Sequence, residues 1–209
     1  MGKFKSVVFR DLSGSVGNVT SYVLDGAQVV RSKPLLVRDA KSLAQLKQRE
    51  RMKVINKLWR RFANALMVGY CSPSAKVYSN CFVRDNMRKI QVDDELNAEV
   101  NLLELSLSAT GLALPLIGAE IDPEGGRVVF SWKKQPFMPY MFKDDCLYGC
   151  VYDTGMRRSR KVELGTRGVS GELAWTLPKG WDAGKLVVYG FAVSADGKRA
   201  SGTLGITAS

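Results

Sequence analysis

From about residue 102 onward, turn residues cut the chain into short β-type runs, a spacing that leaves no room for a long helix and points to antiparallel sheet. The runs are Leu102–Leu107, Leu116–Ile121, Val128–Trp132, Leu147–Tyr152, Lys161–Leu164, Gly171–Leu177, Leu186–Val193 and Arg199–Ile206. Pro123-Glu124-Gly125-Gly126, Asp153-Thr154-Gly155, Pro178-Lys179-Gly180 and Ala195-Asp196-Gly197-Lys198 punctuate them. Strands in this number and spacing predict a sandwich or a barrel. Trp132, Trp175, Tyr189 and Phe191 are its expected large core pieces.

The first half follows other periods. Val19–Leu24 and Ala27–Ser32 flank Asp25-Gly26, and a two-residue Asp-Gly between β-branched runs predicts a hairpin over residues 19–32. Ser42 and Gln45 then fit a capping box, and a stretch free of Gly and Pro predicts one long helix to about Val68. Helical periodicity gathers Val54, Ile55, Leu58, Trp59, Phe62 and Leu66 on one face and Arg49, Lys53, Lys57 and Arg60 opposite. A second helix is expected from about Ser74 to Ile90. The acidic triplet Asp93-Asp94-Glu95 marks the junction where the pattern changes.

Charge is divided along the same line. Residues 1–90 hold 18 of the 31 Lys and Arg but only 5 of the 20 acids, whereas residues 91–209 hold 13 and 15. The whole excess of +11 therefore belongs to the first half. Such an asymmetry is an argument about partners, because it creates a positive field. The expected contacts to an anionic partner are Lys47, Arg49, Lys53, Lys57, Arg60 and Arg61, helped by Lys3, Lys5, Arg10, Arg31, Lys33 and Arg38. The plain competitor is a solvated helix face. No helix-turn-helix pattern or RNP-type aromatic motif is present, so nucleic acid, if bound, would be gripped by its phosphates rather than read at its bases. A membrane surface is not expected as a partner, since the apolar helix face ending in Trp59 and Phe62 suits a protein core.

Several chemistries lack their residues. The chain has no histidine, which removes Ser-His-Asp and Cys-His catalysis and the zinc sites that use histidine. Gly14-Ser15-Val16-Gly17 lacks the Lys-Ser/Thr of a phosphate-binding loop. Cys146 and Cys150 lie on an expected strand, where four residues span about 13 Å, too far to share a metal or a disulfide. Cys71 and Cys81 complete no metal motif, so buried structural thiols are expected. Asp93-Asp94 and Asp144-Asp145 are neighbours in sequence and would not face each other across a cleft. The expectation is a non-enzyme with no cofactor and no metal. No apolar run approaches the roughly 20 residues of a membrane helix, and no signal-peptide core follows the N-terminus, so a cytoplasmic or virion location is expected.

Two resemblances bear on the layout. Gly14-Ser15-Val16-Gly17-Asn18-Val19, Arg31-Ser32-Lys33-Pro34, Ala44-Gln45-Leu46-Lys47-Gln48-Arg49, Val129-Phe130-Ser131-Trp132 and the closing Val188-Tyr189-Gly190-Phe191-Ala192-Val193-Ser194-Ala195-Asp196-Gly197-Lys198 resemble, in order, a bacterial family of unknown function. Residues 134–145 depart from the Asn/Gly-rich loop of that pattern. The family implies a layout and no activity. The C-terminal half also resembles an immunoglobulin-like or fibronectin-type sandwich, which implies adhesion or assembly more than catalysis.

The expected fold is therefore α+β. A basic hairpin-plus-helices region over residues 1–92, with two helices, precedes an immunoglobulin-like antiparallel sandwich of about seven strands over residues 93–209. The expected function is a structural or assembly protein, such as a phage or prophage virion component, that docks its basic half on an anionic partner and joins other subunits or copies of itself. A protein that binds nucleic acid without sequence preference is the alternative.

Overall fold

The computed structural model describes residues 2–3, 12–34 and 39–207, with only the backbone described at residues 2–3. It divides into two compact units, residues 1–42 and 43–209.

The first unit is a small antiparallel sheet. Strands β1 (Gly2–Lys3), β2 (Gly14–Val16), β3 (Val19–Leu24) and β4 (Ala27–Ser32) pair in the order β1-β4-β3-β2. The predicted hairpin is its centre, with Val19 opposite Ser32 and Leu24 opposite Ala27. Asp25 and Gly26 take φ of 50° and 75°, the left-handed pair that a type I′ turn requires and that Asp-Gly tolerates. Pairing of β2 on the outer side of β3 was not anticipated.

The second unit begins with helix α1 (Leu43–Arg61), which breaks at Phe62 and resumes as α2 (Ala63–Gly69). One long predicted helix is thus two. Phe62 sits at φ −97° and ψ 8°, and its side chain is fully buried. Helix α3 (Ala75–Asn86) ends in a 3-10 turn over Met87–Lys89 and leads into a two-stranded hairpin of β5 (Ile90–Val92) and β6 (Ala98–Val100). Leu102–Leu107, expected as a strand, instead opens with a 3-10 turn over Leu102–Glu104, because the Asn101 side chain accepts from the Leu103 amide and caps it.

Two antiparallel sheets follow. Strands β7 (Ile117–Asp122), β8 (Arg127–Trp132) and β11 (Gly171–Thr176) form a three-stranded sheet in the order β11-β8-β7. Strands β9 (Cys146–Asp153), β10 (Arg158–Thr166), β12 (Leu186–Val193) and β13 (Leu204–Ile206) form a four-stranded sheet in the order β10-β9-β12-β13. The last predicted run contracts to β13, and its earlier half makes only single bridges through Ala200 and Ser201.

The four-stranded sheet is covered on both faces. Its Cys150, Tyr152, Tyr189, Phe191 and Val193 join Ile55, Leu58, Phe62, Leu66 and Phe82 of the helices in one core. Its Leu147, Val151, Val162, Val188 and Ala192 join Ile117, Val128, Phe130 and Trp132 of the three-stranded sheet in another. This explains why β9 and β12 are almost continuously buried rather than alternating. The boundary expected at residues 92 and 93 does not coincide with a break in packing. Helices before it and strands after it share a core, while the division of compact units falls at residues 42 and 43. Charge changes sign along the chain where apolar contact continues.

Three of the four expected core aromatics, Trp132, Tyr189 and Phe191, are buried. Trp175 is only half-buried and packs edge-on against Trp181 at 5.8 Å between ring centroids.

Candidate anion-contacting surface

Helix α1 turns its apolar residues to the sheet and thereby fixes where its bases go. Arg49, Lys53, Lys57 and Arg60, spaced at four, four and three residues, are all exposed on one helix face. At the rise of an α-helix that row is about 16 Å long. Lys53 pairs with Glu50 at 3.1 Å, an exposed contact that a stronger anion can displace. The Arg60 guanidinium lies 5.6 Å from the centre of the Trp59 ring, which holds the head against a flat apolar support. Trp59 is itself steadied by donating to Asn56 Oδ1 at 3.2 Å.

The other expected contacts disperse. Lys47 is half-buried and bonded to Asp94. Arg61 turns toward the sheet, donating to the Tyr152 hydroxyl at 3.2 Å, while its carbonyl accepts from Ser159 Oγ at 2.6 Å. Arg31 and Lys33 are exposed in the first unit, with Arg31 over the Tyr22 ring at 5.9 Å. Lys5, Arg10 and Arg38 lie outside the described residues, as does the Lys3 side chain.

Four bases that the sequence did not single out lie on or just before the edge strand that neighbours the end of α1. Arg157, Arg158 and Arg160 are exposed and Lys161 is half-exposed, in the turn after β9 and along β10. The bond from Ser159 to the Arg61 carbonyl marks the helix-facing side of β10, which Lys161 shares, whereas Arg158 and Arg160, opposite Asp153 and Val151 in the register, point to the other face of the sheet. This run was hidden because the acids of the second half cancel it in any count along the chain. Lys161 also lies 5.1 Å from the Tyr148 ring centre and 2.9 Å from Glu163. Lys89, by contrast, is turned inward onto the Glu104 carbonyl and Ser106 Oγ, each at 2.7 Å, and burial pushes its pKa down.

The cysteines are free. Cys146 and Cys150 both lie on β9, as the strand reading requires, and burial pushes the Cys150 thiol up to about 12. Among the described residues no three Cys, Asp or Glu side chains gather as metal ligands. No described helix is long and apolar enough to cross a membrane. Chemically the surface is a row of exposed positive heads along one helix face, suited to bind phosphates or carboxylates.

No protein-family model, curated protein or solved structure matches the chain.

Proposed function

We propose that the protein is a non-enzymatic structural or assembly component, of a phage or prophage virion, whose basic N-terminal half docks on an anionic partner. The observation that carries this reading is the exposed row of Arg49, Lys53, Lys57 and Arg60 on the side of α1 away from the core. Lys161, on the helix-facing side of β10 beside the end of α1, adds to the same field. In this reading the two facing antiparallel sheets serve as an immunoglobulin-like sandwich, an architecture that hosts assembly contacts far more often than chemistry. The same row underlies the second reading, binding of nucleic acid along its phosphates.

Titration with duplex DNA and, separately, with polyglutamate at low and moderate salt tests both. Binding to both polymers, weakened by Lys53→Gln/Lys57→Gln/Arg60→Gln, is the expected result. Binding to DNA alone, with a salt slope that drops by about 0.9 for each phosphate contact removed, favours the nucleic-acid reading. No binding to either polymer at low salt overturns both.

A further inference from the structure

The loop joining β8 to β9 carries a second contact surface of different chemistry. Phe137, Met138 and Tyr140 are 69, 51 and 64 % exposed at its tip. Leu114 and Leu116, at 51 and 57 %, lie alongside, because the Ala113 amide donates to the Tyr140 carbonyl at 3.0 Å and the Lys133 amide donates to the Leu116 carbonyl at 3.3 Å. Exposed apolar side chains gathered like this mark an interaction site rather than ordinary surface scatter. Lys133, Lys134, Lys143 and Arg199 are exposed around them, with Arg199 over the Phe142 ring at 5.3 Å. An apolar and aromatic centre with a charged rim is the anatomy of a protein interface.

The tip is held from beneath. Arg167 and Asp145 are each 99 % buried and pair at 3.4 Å. Arg167 donates to the Ala113 carbonyl at 2.8 Å, and Asp145 accepts from the Phe142 amide at 3.0 Å. The Arg167 amide donates to the Asp145 carbonyl at 2.9 Å, and its own carbonyl accepts from the Gln135 amide at 3.3 Å. One buried ion pair thus ties residues 113, 135, 142, 145 and 167 together. Tyr140 is kept at φ 64°, a conformation that a non-glycine residue holds only where its surroundings impose it. The exposed aromatics are therefore pre-ordered, which lowers the entropic cost of docking.

The chain also presents a complement to this surface. Residues 90–104 contain no Lys or Arg but five acids, Asp93, Asp94, Glu95, Glu99 and Glu104, all exposed. The same stretch carries Leu103, which is 39 % exposed, and the half-buried Leu96 and Leu102. The hairpin of this acidic stretch packs against α1, and its end lies against the middle of β12, where Tyr189 donates to the Leu102 carbonyl at 2.6 Å. The tip lies past the end of β12, where β9 begins with Cys146 opposite Val193. We infer that the tip of one molecule, centred on Phe137 and Tyr140 and rimmed by Lys133, Lys134 and Lys143, docks on the acidic hairpin of a second copy. Repeated head-to-tail from copy to copy, this contact builds a ring or an open filament.

This inference deepens the assembly reading and rests on it. Sedimentation velocity and light scattering of the full chain, over a concentration series at low and high salt, provide the test. Mass should rise with concentration and fall with salt. Phe137→Ser/Tyr140→Ser should weaken association by more than about tenfold, the effect of removing central anchors. Glu95→Lys/Glu99→Lys and Lys133→Glu/Lys134→Glu/Lys143→Glu should each weaken it, and mixing the two charge-reversed proteins should restore it. A monomer at every concentration, or association indifferent to the tip substitutions, overturns the inference. So does a monomer whose tip substitutions abolish binding to single-stranded DNA or to anionic phospholipid vesicles. Failure here with polyanion binding intact removes the contact alone; a self-associating chain that ignores polyanions instead removes the role given to α1.

Discussion

The two faces of β9 and β12 are built from the same sixteen residues yet pack by opposite rules. Toward the helices they send Tyr148, Cys150, Tyr152, Tyr189, Phe191 and Val193. Toward the three-stranded sheet they send Leu147, Gly149, Val151, Val188, Gly190 and Ala192. Gly149 and Gly190 stand opposite each other in the register. A Cβ on Gly149 would lie 2.7 Å from Phe130 Cε1, and one on Gly190 would lie 3.1 Å from Ile117 Cδ1. Bulk is supplied by the four-stranded sheet on the helix side and by its neighbour on the other. Close packing needs large against small, whichever layer contributes which. On the helix side Phe62 meets Tyr152 and Tyr189, with centroids 4.7 and 5.7 Å away.

This asymmetry can be broken first at its largest piece. Phe62→Ala should lower the unfolding free energy by about 3–5 kcal/mol in urea titrations, since the ring is fully buried among aromatics. A loss well below that range would mean that the helix layer is not fastened through this ring. On the opposite face Gly149→Ala should cost about 1–3 kcal/mol by overpacking. Phe130→Leu in the same chain should recover part of the loss, and strict additivity of the two losses would contradict the proposed size match.

A third test uses protons. Burial raises the Cys150 thiol from the ordinary 9.0 to about 12, so the folded chain keeps its proton where the unfolded chain gives it up. Its contribution to stability is complete below about pH 9 and is lost as pH rises toward 12, at up to about 1.4 kcal/mol per pH unit. Burial likewise drives the phenols of Tyr189 and Tyr70 upward, and the Asp85 carboxylate bonded to Tyr70 at 2.9 Å adds to its shift. These two steepen the decline above pH 10. Urea midpoints at neutral and alkaline pH should show the fall, and Cys150→Ala should flatten its first part. The smallest effect is kinetic. Under native conditions an alkylating reagent should modify the half-buried Cys71, Cys81 and Cys146 well before Cys150, with urea removing the difference; mass spectrometry of the labelled peptides reads the order.

Legibility in the sequence followed the range of the forces involved. The Asp25-Gly26 hairpin and the apolar face of α1 were readable because their causes lie within a few residues. The break at Phe62 was not, because neither Gly nor Pro marks it and its buried ring finds its partners on strands β9 and β12. Leu102–Leu107 resembled a strand because leucine-rich runs suit several conformations, and the Asn101 cap decided between them. Of the candidate surface, Arg49, Lys53, Lys57 and Arg60 were found by periodicity alone. Arg61 was misplaced by it, since its exchange with Tyr152 and Ser159 spans more than 90 residues. Phe137, Met138 and Tyr140 carried no sign in their identities that they would face solvent. The departure of residues 134–145 from the expected loop composition told against a partner-specific role for that loop and did not reveal their exposure.

The bases and the irregularity of β10 have one more consequence. A sheet whose outermost strand is long, flat and apolar invites strands from other molecules. Here that strand carries Arg158, Arg160, Lys161 and Glu163, and a bulge between Glu163 and Gly165 bends its register. At the opposite side the sheet stops at β13, only three residues long. Both borders are of the kind that discourages runaway strand addition and amyloid-like growth. The most hydrophobic sheet of the chain is thus kept from templating aggregation at its edges.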